Sequence, residues 1–181
     1  MTKTTSKLIA LLFISLFLLD SNVFSQNSKN YKTVNYKDTV MHSWDFITNA
    51  EADRILGKPS QIKDSAYRFS SGLLRYKFEY VATYKDSTSK GRIFFMFEQY
   101  ADTLNTTFIF NNLKKENEKD SKVSNLNDIG TEAFLALDNL NYPFILIRKD
   151  NKLFKFKLYY LDGKVSLDEL LKVAKKIVLS H

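Results

Sequence analysis

The segment RIFFMFEQY (Arg92–Tyr100) constrains the fold of this chain more than any other, because five consecutive apolar residues, Ile93 to Phe97, sit inside it. Successive side chains of a strand point to opposite faces, so Ile93, Phe95 and Phe97 face one way and Phe94 and Met96 the other. Both faces then need cover, which places the strand in the middle of a sheet with packing on each side. FILIR (Phe144–Arg148) repeats the pattern. The expectation is that Phe94 and Phe95, adjacent in sequence, are both buried on opposite faces.

The remaining strands are half-buried. LLRYKFEYVA alternates Leu74, Tyr76, Phe78 and Tyr80 against Arg75, Lys77 and Glu79. LFKFKLYYL alternates Phe154, Phe156, Leu158 and Tyr160 against Lys155, Lys157 and Tyr159. TEAFLALD is a short strand, AYRFS a weak one, and Pro143 stands at a strand start, where proline is tolerated. KDSTSKG reads as a polar turn and KDNK (Lys149–Lys152) as a hairpin turn, with Asp150 and Asn151 tolerating left-handed angles. DSKVSNLNDIG (Asp120–Gly130) reads as a loop.

Three helices are expected. In ITNAEADRILGKP (Ile47–Pro59), Thr48 and Glu51 form a capping box, and Ile47 and Ala52 can staple it. Gly57 then supplies the left-handed stop, and Pro59 prevents resumption. Asp102 caps a helix to about Lys119, with Leu104, Phe108 and Asn111 or Asn112 at helical spacing. β-Branched Thr106, Thr107 and Ile109 weaken it. The last helix has a second box, Ser166 with Glu169. Leu167, Leu170, Leu171, Ala174, Ile177 and Val178 line its apolar face, and Lys172, Lys175 and Lys176 oppose them. The sum is an α+β fold, an antiparallel sheet of about six strands sandwiched between helices. Residues 45–181 form one domain, and 26–44 a flexible lead-in from which Trp44 and Phe46 first reach the core.

The N-terminus is that of an export signal. Lys3 and Lys7 precede the apolar run LIALLFISLFLL, and Val23 and Ser25 stand at the small-residue positions before a cut between Ser25 and Gln26. The run of 12 is too short for a bilayer, which needs about 20 apolar residues. Removing residues 1–25 takes away Lys3, Lys7 and Asp20 and lowers the net charge from +7 to +6. That charge favours acidic partners: anionic lipid, surface polysaccharide or an acidic protein face. The absence of cysteine excludes a lipobox anchor, disulfides, a thiolate nucleophile and zinc–thiolate ligation. The expected product is periplasmic or secreted, held by its core alone, with neither a lipid anchor nor a transmembrane segment.

Chemistry-bearing motifs are scarce. His42 and His181 lie in the lead-in and at the terminus, without metal-ligand spacing, and read as exposed. The carboxylates Asp162/Asp168 and Glu116/Glu118/Asp120 read as solvated. Ser70-Ser71-Gly72 lacks the elbow and base of a serine nucleophile. No glycine-rich phosphate loop exists, and neither metal nor cofactor is expected. Arg148, Lys152, Lys155 and Lys157 of the last hairpin, with Tyr159 beside Lys155 and Lys157, form a candidate basic surface for a polyanion or sugar. Lysine on an outer strand also blocks edge-to-edge pairing. DTV (Asp38), DSA (Asp64) and DTL (Asp102) match the Asp-Ser/Thr triplet that carries O-glycans in some Gram-negative secreted proteins.

Two segments carry a family likeness: ITNAEADRILGKP, and DIGTEAF (Asp128–Phe134) followed by the last hairpin and a helix with Leu171, Ala174, Lys175 and Ile177. Over roughly residues 44–179 the chain resembles exported domains of the PsbP-like superfamily. That resemblance implies a PsbP-like α/β/α sandwich and a non-catalytic binding or assembly role on the outer side of a membrane. EADRILGKP before an aromatic strand is also similar to small outer-membrane assembly proteins of the BamE (SmpA/OmlA) type, which lack the later half. The functional expectation is an exported, non-catalytic accessory module whose partner is an envelope protein or polyanion, not a nucleic acid. The alternatives are a peripheral binder of anionic lipid or polysaccharide, and a hydrolase with an unrecognised acid/base pair.

Overall fold

The computed structural model describes residues 42–70, 73–83, 90–159 and 166–181, apart from the side chains of 64–70, 83 and 90. The first helix, α1 (Asn49–Leu56), starts as its sequence predicts. The Thr48 hydroxyl accepts the Glu51 N–H (3.3 Å), and the Glu51 carboxylate accepts the Thr48 N–H (2.9 Å). Gly57 is left-handed (φ 68°). Its N–H donates to the Arg54 carbonyl and that of Lys58 to the Asp53 carbonyl, so two orphan carbonyls of the last turn are satisfied. Asp53 then accepts both the backbone N–H (2.6 Å) and the hydroxyl (2.7 Å) of Ser60, stitching the helix stop to the first strand.

Seven antiparallel strands form one sheet: β1 (Ser60–Ser70), β2 (Leu73–Thr83), β3 (Lys90–Tyr100), β4 (Lys122–Asn125), β5 (Glu132–Leu137), β6 (Pro143–Lys149) and β7 (Lys152–Tyr159). Their spatial order is β1-β2-β3-β7-β6-β5-β4. Two meanders are therefore joined where β3 pairs with β7, and α2 (Thr103–Asp120) carries the chain from one to the other. Both two-faced segments, β3 and β6, are interior strands. The strand beyond the expected six is β4, inside the segment read as a loop. Its four residues pair with Ala136 and its neighbours on β5, a backbone interaction that hydrophobic patterning does not register. The KDNK turn holds Asp150 at φ 53°.

One face of the sheet carries the larger core. Phe46 lies among Phe95 (centroids 4.9 Å) and Phe97 (5.4 Å), and Phe95 meets Phe78 (4.8 Å) and Phe156 (4.9 Å). α1 and α3 (Leu167–Ser180) cover it, with Leu170, Val173, Ala174, Ile177 and Val178 buried. Leu167 and Leu171, expected among them, are only partly buried. The Ser166 hydroxyl accepts the Glu169 N–H (3.0 Å), but Glu169 turns to Lys172 (2.7 Å) and Arg54 instead of closing the box. Trp44 is 61% exposed and stacks on His42, so the chain enters the core at Phe46 and not before.

α2 covers the other face, and with its unexpected side. Thr106, Phe110 and Asn117 point to the sheet, whereas Leu104 is 81% exposed and Phe108 is exposed as well. Phe110 packs edge-to-face on Phe134 of β5 (5.6 Å). The two polar residues enter because their groups bond within the helix, Thr106 Oγ1 to the Asp102 carbonyl (2.8 Å) and Asn117 Nδ2 to the Leu113 carbonyl (2.7 Å). α2 lies against β3 through β7 and not substantially against β1 or β2. Helices therefore pack on both faces, but among the described residues the second is covered by α2 only in part. Phe95 is buried and Phe94 is only half-buried, a departure from the expectation that both would be.

Candidate functional site

The part of the second face formed by β2, β3 and β7, where α2 touches β3 and β7 but not substantially β2, is where charged and aromatic side chains gather. Alternation along β2 sends Leu74, Tyr76, Phe78 and Tyr80 to the core and leaves Arg75, Lys77 and Glu79 here. β3 contributes Arg92, Phe94, Met96 and Glu98, and β7 contributes Lys155, Lys157 and Tyr159.

Glu98 is the hub. It is fully buried, and four donors approach its carboxylate: Arg75 Nε and Nη2 (both 2.6 Å to Oε1), Lys155 Nζ (2.6 Å to Oε2) and the Tyr100 hydroxyl (2.9 Å to Oε2). Burial alone would raise its pKa, but the Lys155 ammonium and Arg75 guanidinium outweigh that and hold it at about 2. Burial and the neighbouring carboxylate push the Tyr100 phenol well above its usual value. Neither group titrates near neutrality, so neither is matched to general acid–base work.

A second network lies lower on the same face. Lys157, 3% exposed, donates to Asp138 (2.9 Å) and to the Tyr142 carbonyl (3.3 Å), and sits 5.4 Å from the Tyr159 ring centre. Burial lowers the Lys157 pKa against the opposing pull of Asp138, and burial pushes the Tyr159 phenol up to about 12. Phe94 and Tyr142 pack edge-to-face on Tyr159, at 5.5 and 5.3 Å. Arg92 pairs with Glu79 at 3.4 Å.

The four basic residues singled out in the sequence do not form one surface. Lys155 and Lys157 share this face, each already paired with a carboxylate. Arg148 shares it too but is buried against Glu132 (2.7 Å). Lys152 falls on the opposite face, where its ammonium meets the backbone oxygen of His181. Edge protection does not explain these lysines, because β7 lies between β3 and β6. Arg75, Lys77 and Glu98 went unmarked. The available signal was Glu98, a charge on the same strand face as Phe94 and Met96, which two-sided burial permits only with a partner.

Other candidates disperse. His42 is exposed, whereas His181 is half-buried with its ring on Phe46 (4.7 Å), contrary to the reading of both as exposed. Asp168, Glu116, Glu118 and Asp120 are exposed. Among the described residues no group of three or more potential metal ligands stands together, and no helix is long and apolar enough to cross a membrane. Asp102 of DTL caps α2, accepting the Asn105 N–H (2.7 Å), with Thr103 exposed. Ser25, Gln26, Asp38, Ser71, Gly72 and Asp162 lie outside the described residues, as does the side chain of Asp64. Neither a family model, nor a curated protein, nor a solved structure matches the chain.

Proposed function

We propose that this chain is an exported, non-catalytic binding or accessory module of the cell envelope, and that it engages its partner through the β2-β3-β7 face. The observation that carries this reading is a sheet face that α2, among the described residues, covers only in part, and on which Arg75, Lys155 and Lys157 are held in place by buried ion pairs. Such preorganisation suits recognition, since little side-chain freedom remains to be lost on binding. Arg75, Lys155 and Tyr100 already occupy the fully buried Glu98 carboxylate, which argues against a hydrolytic role for it. The leader, with Lys3 and Lys7 ahead of an apolar run, supports export, and the likeness to PsbP-like domains supports an accessory role.

The test is affinity capture from the envelope fraction of the source cells, using protein purified after export. Wild type and Lys175→Glu, altered on the exposed side of α3, should retain the same partner, and Lys77→Glu should lose it. Retention by all three proteins, or by none, overturns the assignment of the face. Mass spectrometry of the same preparation should find Gln26 at the N-terminus; an intact Met1 would overturn export.

A further inference from the structure

Resting on that reading of the face, we propose that its ligand is an acidic polysaccharide. Carboxylate or sulfate groups would be held by Arg75, Lys77 and Lys155, and sugar rings would lie against Phe94 and Tyr159. The first argument is charge. Arg75 and Lys155 share one carboxylate, whose lone-pair positions are filled by the donors already named, so among the described residues these three groups carry one net positive charge. Their side chains remain 15% and 13% exposed, so neither is sealed from solvent. Lys77 adds a further cation, half-buried and with no acidic partner among the described residues. It pairs across Met96 with Lys155 in the strand register, which sets the two backbones about 10 Å apart. Charge held out of water without a counterion is unfavourable, and an arriving anion relieves it.

The second argument is shape. Two residues along each strand from Met96 and Lys157 stand Phe94 and Tyr159, half-buried and packed edge-to-face. Cations beside an aromatic shelf suit a ligand that alternates anionic groups with apolar ring faces, as an acidic sugar chain does. A bilayer is a poorer match. A lipid headgroup brings charge but not the apolar ring faces that Phe94 and Tyr159 would meet.

The experiment is calorimetric titration of the exported protein with polygalacturonate and heparin. Neutral dextran, phosphatidylglycerol vesicles, a thymidine oligonucleotide and inorganic phosphate serve as comparators. Binding to an acidic polysaccharide and not to dextran is expected, weakening as salt screens the charges. Lys77→Gln should weaken it about tenfold, the loss of one charge-assisted hydrogen bond. Lys63→Gln, an exposed lysine on β1, should leave it unchanged. Phe94→Ala should weaken it without altering the salt dependence. Vesicles or oligonucleotide binding as tightly as the polysaccharide, or glycan binding indifferent to Lys77→Gln, overturns the proposal. If no glycan binds while envelope capture still depends on Lys77, the ligand class is wrong and the face stands; if capture is also indifferent, both fall.

Discussion

Replacing Glu98 by glutamine keeps the shape of the hub and removes its charge. Arg75 and Lys155, each 2.6 Å from the carboxylate, would then face each other across a neutral amide in a largely desolvated site. Two estimates of the cost converge. Removing one member of a buried ion pair destabilises by about 3–5 kcal/mol. The depression of the carboxyl from its usual 4.5 to about 2 corresponds to on the order of 3 kcal/mol. At a urea slope of about 2 kcal/mol/M, the Glu98→Gln midpoint at pH 7 should fall by about 1.5 M. The sign with pH follows from the lowered pKa: the contribution is complete above about 4.5 and is lost as pH falls through about 2. The gap between the two proteins should therefore hold from pH 7 to 5 and close toward pH 2. A midpoint within about 0.2 M of wild type at pH 7, or a gap that persists unchanged at pH 2, would refute the account of Glu98 as an ionised hub.

Gly130→Ala should cost roughly 3 kcal/mol or more, combining left-handed strain with overpacking. Its φ is +67°, and an added Cβ would lie 2.6 Å from the Arg148 carbonyl oxygen. Gly57→Ala, at the exposed α1 stop, should lose only about 1–2 kcal/mol, so thermal melts should rank the pair in that order. On α2, Phe110→Ala should cost about 3–5 kcal/mol and Leu104→Ala less than about 0.5, measured by urea titration; the reverse ranking would mean that α2 packs with its other side inward.

Most of the architecture was legible because it follows from side-chain period and local capping. A strand covered on one side alternates apolar with polar residues, so the unbroken run from Ile93 to Phe97 marked β3 as interior. Thr48, Glu51 and Gly57 act within a few residues of one another, and the structure places them as their spacing predicts. What was not legible depends on distant partners. The orientation of α2 turns on Phe110 meeting Phe134 and on internal bonding by Thr106 and Asn117, none of which hydropathy reports. The candidate site depended on strand order. With β7 beside β3, Lys155 meets Glu98 and Arg75 across three strands, whereas an outer β7 would leave its lysines in solvent.

Site-specific photocrosslinking tests the central claim, that the chain binds through the β2-β3-β7 face, most directly. A photoreactive phenylalanine analogue would replace Phe94, half-buried on that face, in one protein and Lys175 in another, each exported into its own envelope and irradiated there. A discrete adduct is expected from position 94, competed away by added acidic polysaccharide, and none from position 175. Equal adducts from both positions, or an adduct from position 175 alone, would contradict that claim.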